Sequence, residues 1–331
     1  MQGTTMQRGT PSRHGRLRMP TPSTAITKRR RFRHLPVSPL TWALALVPGL
    51  ILMTGCAVSP DRAEIPQFRQ GAATANQQTA QAFVEINGFL RQQQIERATG
   101  QPTLTEGEFL TVLGVEDVAK WSRAFAVIDA YAAALEKLLD PQRRSNAQQE
   151  LVKLGEVIGA LDGNQLPAGV ASGFATLGSL LLQIKADKDS LEAIRLANPG
   201  IQETFSTMME AIGADQNNGV RSVVWNTWQT MLAKQSVDFL RAADTDDKRT
   251  VVQRFVSTMD QRDAKDASLV ALRRSLGLLA SAHAELAAGR NDGAQGLIEL
   301  LQREYTNYQT QTDAIRKQRE AAAKGAQGAT Q

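Results

Sequence analysis

Residues 118–139 read VAKWSRAFAVIDAYAAALEKLL, and this stretch decides the fold class. Val118, Trp121, Phe125, Ile128, Ala132, Leu135 and Leu139 recur at alternating steps of three and four. At 3.6 residues per turn these side chains fall on one stripe of a helix, the pattern of a bundle seam. Asp140-Pro141 stops the run, because proline cannot donate the next helical hydrogen bond.

The same period extends in both directions. Upstream, Phe83, Ile86 and Leu90 lie at three- and four-residue spacing, and Gly100-Gln101-Pro102 ends that helix. Downstream, Ser145 and Gln148 have the spacing of a capping box ahead of Leu151, Leu154, Ile158 and Leu161. Asp162-Gly163 then breaks the pattern. From Leu166 to Ile184 there is no charged residue, and Gly169, Gly173 and Gly178 recur. This segment continues in more polar form through Lys185 to Leu196 and is expected to end near Asn198-Pro199-Gly200.

A further helix is expected from about Ile201, with Phe205, Met208 and Ile212 on one face and a break at Asn217-Asn218-Gly219. Val220, Val224, Trp228, Met231 and Leu240 follow. Segment 246–288 carries Leu269, Leu272, Leu276, Leu279, His283 and Leu286 in one regular run. The last helix, about 293–322, has Leu297, Leu301, Tyr305, Tyr308, Thr312 and Ile315 at heptad spacing, ahead of an Ala-, Gly- and Gln-rich tail expected to be disordered over 323–331.

No run alternates as a strand would, and no short internal repeat points to a solenoid. Ala, Gln, Leu and Glu abound while aromatic residues and proline are scarce, which favours helix. The expected fold is all-α: an elongated antiparallel bundle of about six or seven helices over 75–322, joined by short breaks.

The other informative stretch lies near the N-terminus. Lys28, Arg29, Arg30, Arg31 and Arg33 form a basic block. Leu40 to Met53 is apolar, about 14 residues long, shorter than the roughly 20 that span a bilayer. Thr54 and Gly55 are small, and Cys56, the only cysteine in the chain, comes next. This order of basic, apolar and small residues before one cysteine resembles the signal peptide and lipobox of bacterial lipoproteins. The family's usual leucine three places before the cysteine is Met53 here, with Leu52 one place earlier.

The resemblance implies that residues 1–55 are removed, that a signal peptidase reads Leu52, Met53, Thr54 and Gly55, and that Cys56 carries a diacylglyceryl group and an N-acyl chain. Two or more chains anchor stably, each buried methylene contributing roughly 0.8 kcal/mol. Ala57, where an aspartate tends to retain such proteins at the inner membrane, implies sorting to the outer membrane of a Gram-negative envelope. Residues 56–74, with Pro60 and Pro66, read as a flexible tether to a body facing the periplasm, with the cell surface as the alternative. The first 27 residues show no helical period, so translation from Met19 is an alternative start, and Arg29, Arg30 and Phe32 offer a loose twin-arginine pattern.

Net charge must be read with the leader set aside. Nine of the 38 basic residues lie in residues 1–55, which hold none of the 33 acidic ones, so the mature part is net −4. That balance removes the electrostatic basis for nucleic-acid binding.

Candidate chemistry is thin. His283 is the only histidine after Cys56 and cannot supply a His/Cys metal set. A relay with Ser268, Ser275 or Ser281 is formally possible, but none sits in a Gly-x-Ser-x-Gly elbow, and a seam position hydrogen-bonded to a neighbour is the favoured reading. Glu116-Asp117 and Asp244, Asp246 and Asp247 suit helix starts better than catalysis. Trp225 and Trp228, with Arg221 a turn earlier, form either a ligand platform or core, core being favoured. Tyr305 and Tyr308 read the same way. Segment 166–184 is read as a buried helix, with a membrane-inserting, pore-forming element as the alternative. No phosphate-binding loop or dinucleotide fingerprint occurs, and no cofactor is expected. The expectation is a non-enzymatic, lipid-anchored protein that binds an envelope protein partner. The C-terminal helix with Arg316, Lys317 and Arg319 is the candidate face, although cations there also suit a helix C-terminus.

Overall fold

The computed structural model describes residues 64–328, apart from 110, 112, 162 and 185–188; the side chains of 92, 93, 96, 311, 315, 316 and 318–328 also lie outside the description. Eight α-helices are present among these residues: α1 Glu64–Ala98, α2 Val115–Leu138, α3 Arg144–Gly159, α4 Ala171–Leu181, α5 Ser190–Ile212, α6 Gly219–Arg241, α7 Thr245–Ala288 and α8 Asn291–Gly328. Two 3₁₀ turns lie at Glu106–Phe109 and Gly163–Gln165, and the described residues contain no strand. The all-α bundle read from the periodicity is the observed fold.

Local chemistry sets several ends. The Asp189 carboxylate accepts from the Glu192 N–H at 2.8 Å and starts α5. Asp244 starts α7 by accepting from the N–H groups of Asp246 (2.9 Å) and Asp247 (2.8 Å). Gly289, at φ 73°, lets the chain turn from α7 into α8, and its N–H reaches the Leu286 carbonyl at 3.0 Å.

Six helices close a ring: α1 packs on α2, α2 on α3, α3 on α4, α4 on α5, α5 on α7, and α7 returns to α1. α6 and α8 pack on α7, and α8 also meets α1. α7 therefore touches four helices and serves as the central post. The seam residues of α2 face inward: Trp121, Phe125, Ile128, Ala132 and Leu135 are buried. So is the α7 run Leu269, Leu272, Leu276, Leu279, His283 and Leu286. Each fully buried large apolar side chain contributes roughly 1.5–3 kcal/mol relative to exposure.

Several boundaries differ from expectation. α1 begins at Glu64, so part of the stretch read as tether is helix, with Ile65, Phe68 and Ala72 buried. Polar spacing hides this, because Gln67, Arg69 and Gln70 separate the apolar positions. α3 begins at Arg144 with no side-chain cap, so Ser145 lies inside the helix and the capping box with Gln148 is not formed.

The uncharged segment yields only the eleven-residue α4, amphipathic rather than buried all round: Phe174, Leu177 and Leu181 face inward while Ser172, Ala175 and Ser179 face water. α5 runs straight through Asn198-Pro199-Gly200 instead of starting at Ile201. Proline inside a helix costs about 3 kcal/mol. Here Ile194, Ala197, Ile201 and Phe205 are buried on both sides of it, and that burial outweighs the cost. The break between α4 and α5 therefore lies within 182–189 rather than at Asn198-Pro199-Gly200, and the described helices number eight against the six or seven expected. α8 extends to Gly328, through the 323–328 stretch that reads as tail, and residues 329–331 lie outside the description.

α4 is packed at backbone distance. A Cβ added at Gly173 would lie 2.6 Å from Thr204 Cα, and one at Gly200 would lie 2.5 Å from Leu177 Cα. Only hydrogen atoms at these two positions let α4 and α5 approach so closely. The far ends of α6 and α7 contrast with this. Between residues 236 and 257 no residue is buried, and Val237, Phe239, Leu240, Val252 and Val256 remain exposed, Leu240 at 80%.

Candidate functional site

The residues that carry the lipoprotein resemblance, Leu52, Met53, Thr54, Gly55, Cys56 and Ala57, lie outside the described residues. The described body begins eight positions after Cys56. Eight extended steps reach at most about 30 Å. A lipid on Cys56 would therefore hold the buried start of α1 within that distance of a bilayer. Among the described residues, no helix is long and apolar enough to cross a membrane.

His283 sits where four helices of the ring meet. It is fully buried, with one ring edge toward Phe68 of α1 at 5.4 Å between centroids. Its Nδ1 is 2.9 Å from Asn198 Oδ1 on α5, and its Nε2 is 2.9 Å from the Tyr131 hydroxyl on α2. Asn198 Oδ1 also accepts from Gln202 Nε2 at 3.1 Å, which marks it as an acceptor. His283 therefore carries its proton on Nδ1 and accepts from the Tyr131 hydroxyl at Nε2. Burial pushes the imidazole down to about 3 and raises the Tyr131 phenol. The hydroxyls that a relay would have used are engaged elsewhere: Ser268 donates to the Ala264 carbonyl, Ser281 to the Gly277 carbonyl, and Ser275 to Gln78 Oε1. The geometry is that of a neutral tie between helices. Asn198 and Tyr131, its partners from 85 and 152 residues away, carry no signal in the sequence.

Trp225 and Trp228 part company. Trp228 is fully buried and stacks on Phe89 at 4.6 Å. Trp225 lies at the edge of a shallow groove, with the Arg262 guanidinium 3.9 Å from its ring centroid. Arg221, the cation of the alternative platform reading, makes a fork to Asp266 at 2.7 and 2.8 Å and donates to the Ala214 carbonyl at 2.8 Å. The Asp266 hydrogen bonds, outweighing the cost of burial, raise the guanidinium's proton affinity. The preceding residue, Lys265, reaches Glu85 of α1 at 2.6 Å. Two adjacent residues of α7 thus fasten α6 and α1.

The acidic pairs take up cap positions. Asp117 accepts from the Gly114 N–H at 2.9 Å, and Asp244 caps α7 as described. Among the described residues, no three His, Cys, Asp or Glu side chains converge where a metal ion could sit. Tyr305 is buried and its hydroxyl accepts from Gln309 at 2.8 Å; Tyr308 is half-buried. The side chains of Arg316 and Arg319 lie outside the description, and Lys317 is exposed. Comparison of the chain with protein-family models, with characterised proteins and with solved structures finds no match.

Proposed function

We propose that this chain is a lipoprotein of the bacterial outer membrane, anchored through Cys56, whose periplasmic helical body is a non-enzymatic structural or protein-interaction module. The observation that carries the reading is the order of residues 28–57: basic block, short apolar run, Thr54-Gly55, then the lone Cys56. The start of the body at Glu64 is consistent with it, because the anchor would hold the ring of helices close to the lipid. The interaction part is supported by the outer ends of α6 and α7, where five large apolar side chains stay in water. The main buried histidine cluster ties helices together, which suits a scaffold. The partner proposed is another protein of the envelope.

Expression of the full chain in a Gram-negative host, fractionation, and mass spectrometry of the N-terminal peptide test the reading. A diacylglyceryl-modified Cys56 in the outer-membrane fraction is expected, with Cys56→Ser leaving an unprocessed precursor. An acyl-free protein with residues 1–55 attached would overturn it. Cross-linking of the lipidated protein in native envelopes would then identify the partner.

A further inference from the structure

A groove of about 360 Å³ lies between the C-terminal end of α1, the outer part of α6 and the outer part of α7. This is within the range of small-ligand pockets, which begin near about 300 Å³. Its rim carries Arg97 from α1, Lys234 and Asp238 from α6, and Arg254 from α7. All three cations are exposed, and none makes an ion pair or side-chain hydrogen bond among the described residues. The dipole of α1 accounts for Arg97 alone, because Lys234 and Arg254 lie inside their helices.

Gln235 lines the same groove from beneath, at 6% exposure. Its Nε2 donates to Thr258 Oγ1 at 2.9 Å. The amide cannot be turned round, because the single Thr258 hydroxyl proton goes to the Arg254 carbonyl at 2.9 Å and leaves Thr258 able only to accept from Gln235. Gln235 Oε1 is therefore a covered acceptor without a donor. A buried oxygen in that state costs free energy until a donor reaches it.

The geometry points to a binding site for a small hydroxylated anion, a sugar acid or a sugar phosphate. The carboxylate or phosphate meets Arg97, Lys234 and Arg254. A ligand hydroxyl donates to Gln235 Oε1 once the side chain shifts toward the groove, and another donates to Asp238. This site rests on the helical body alone and not on the lipid anchor.

Calorimetric titration of the full chain in detergent tests it, with glucuronate, glucose 1-phosphate, sulfate and glucose as probes. Saturable binding of glucuronate or glucose 1-phosphate is expected, and the tighter of the two tells a carboxylate source from a phosphate source. Sulfate, which has the charge but no donor, binds about tenfold more weakly, and glucose binds no more than weakly. Arg254→Gln and Lys234→Gln change exposed side chains with no partner in the fold. Each lowers affinity about tenfold with the melting temperature unchanged. Gln235→Met removes the orphaned oxygen and abolishes the preference over sulfate. No saturable heat from either hydroxylated anion would show that the groove holds solvent only, equal affinity for sulfate would show a site that reads charge alone, and binding indifferent to both cation variants would place the ligand elsewhere; each overturns the assignment.

Discussion

The α4–α5 contact and the outer ends of α6 and α7 hold their helices in opposite ways. At the first, two glycines bring backbone against backbone, and the facing surfaces leave no space for a methyl group. At the second, two helices run side by side with no buried residue from 236 to 257 and with valines, a phenylalanine and a leucine in water. The lesson is that helix formation and helix burial are separate matters in this chain. Burial is concentrated in the ring, and the outer hairpin keeps its apolar side chains in water.

The harshest way to break this contrast is Gly173→Val. The added Cβ meets Thr204 backbone, which cannot rotate away. A loss of about 3 kcal/mol or more is expected, read as a lower urea midpoint or as failure to fold. A midpoint unchanged from the parent protein would show that α4 and α5 are not packed as described.

His283→Leu is next. It strands the Tyr131 hydroxyl and releases Asn198 inside the ring, a cost of about 1–3 kcal/mol at pH 7. The penalty should also depend on pH. Burial depresses the folded imidazole to about 3 against an ordinary value near 6.5. The unfolded chain therefore binds the proton first as pH falls, so the stability contributed by His283 is fully present above about 6.5 and declines on the way down to 3. Paired urea titrations of parent and variant at pH 7 and pH 4.5 should show the gap between them narrowing at the lower pH. A gap that widens would mean that the charged imidazole is the stabilising form.

Gly296→Ala sharpens the comparison from the other side. Gly296 is exposed on α8, and an added methyl meets nothing within 4 Å. The same class of change that is damaging at Gly173 should here raise stability by about 0.5–1 kcal/mol, through better helix propensity. The smallest effect belongs to the outer hairpin. Val252→Ser should move the unfolding free energy by less than about 0.5 kcal/mol, because the side chain is 46% exposed. Hydrogen exchange should likewise find amides of 245–257 opening earlier than those of α5.

Much of the helical content is legible from residue spacing alone. The α2 seam from Trp121 to Leu135 and the run from Leu269 to Leu286 are buried as their spacing implies, while Val118 and Leu139 at the seam's ends are partly buried. Asp140-Pro141 and Gly100-Gln101-Pro102 mark true ends, since α2 stops at Leu138 and α1 at Ala98. The candidate chemistry is less readable. A turn of helix places Arg221 near the tryptophans, but its acceptor Asp266 lies 45 residues away and takes it elsewhere. Gln235, one glutamine among many, becomes notable only because Thr258 has already given its proton away. The resemblance of Leu52 to Cys56 to a lipobox belongs to the sequence pattern, since those residues lie outside the described structure.

By itself the sequence determined that the chain is helical, which side of most helices turns inward, and where several of them stop. Those properties follow from local spacing, capping carboxylates and the missing N–H of proline, all set within a few residues. Only the tertiary structure decided that α5 continues through Pro199, that α1 starts at Glu64, and that His283 meets Tyr131 and Asn198. Each of these depends on burial between helices distant along the chain, a free energy large enough to override local preference and absent from any short window of residues.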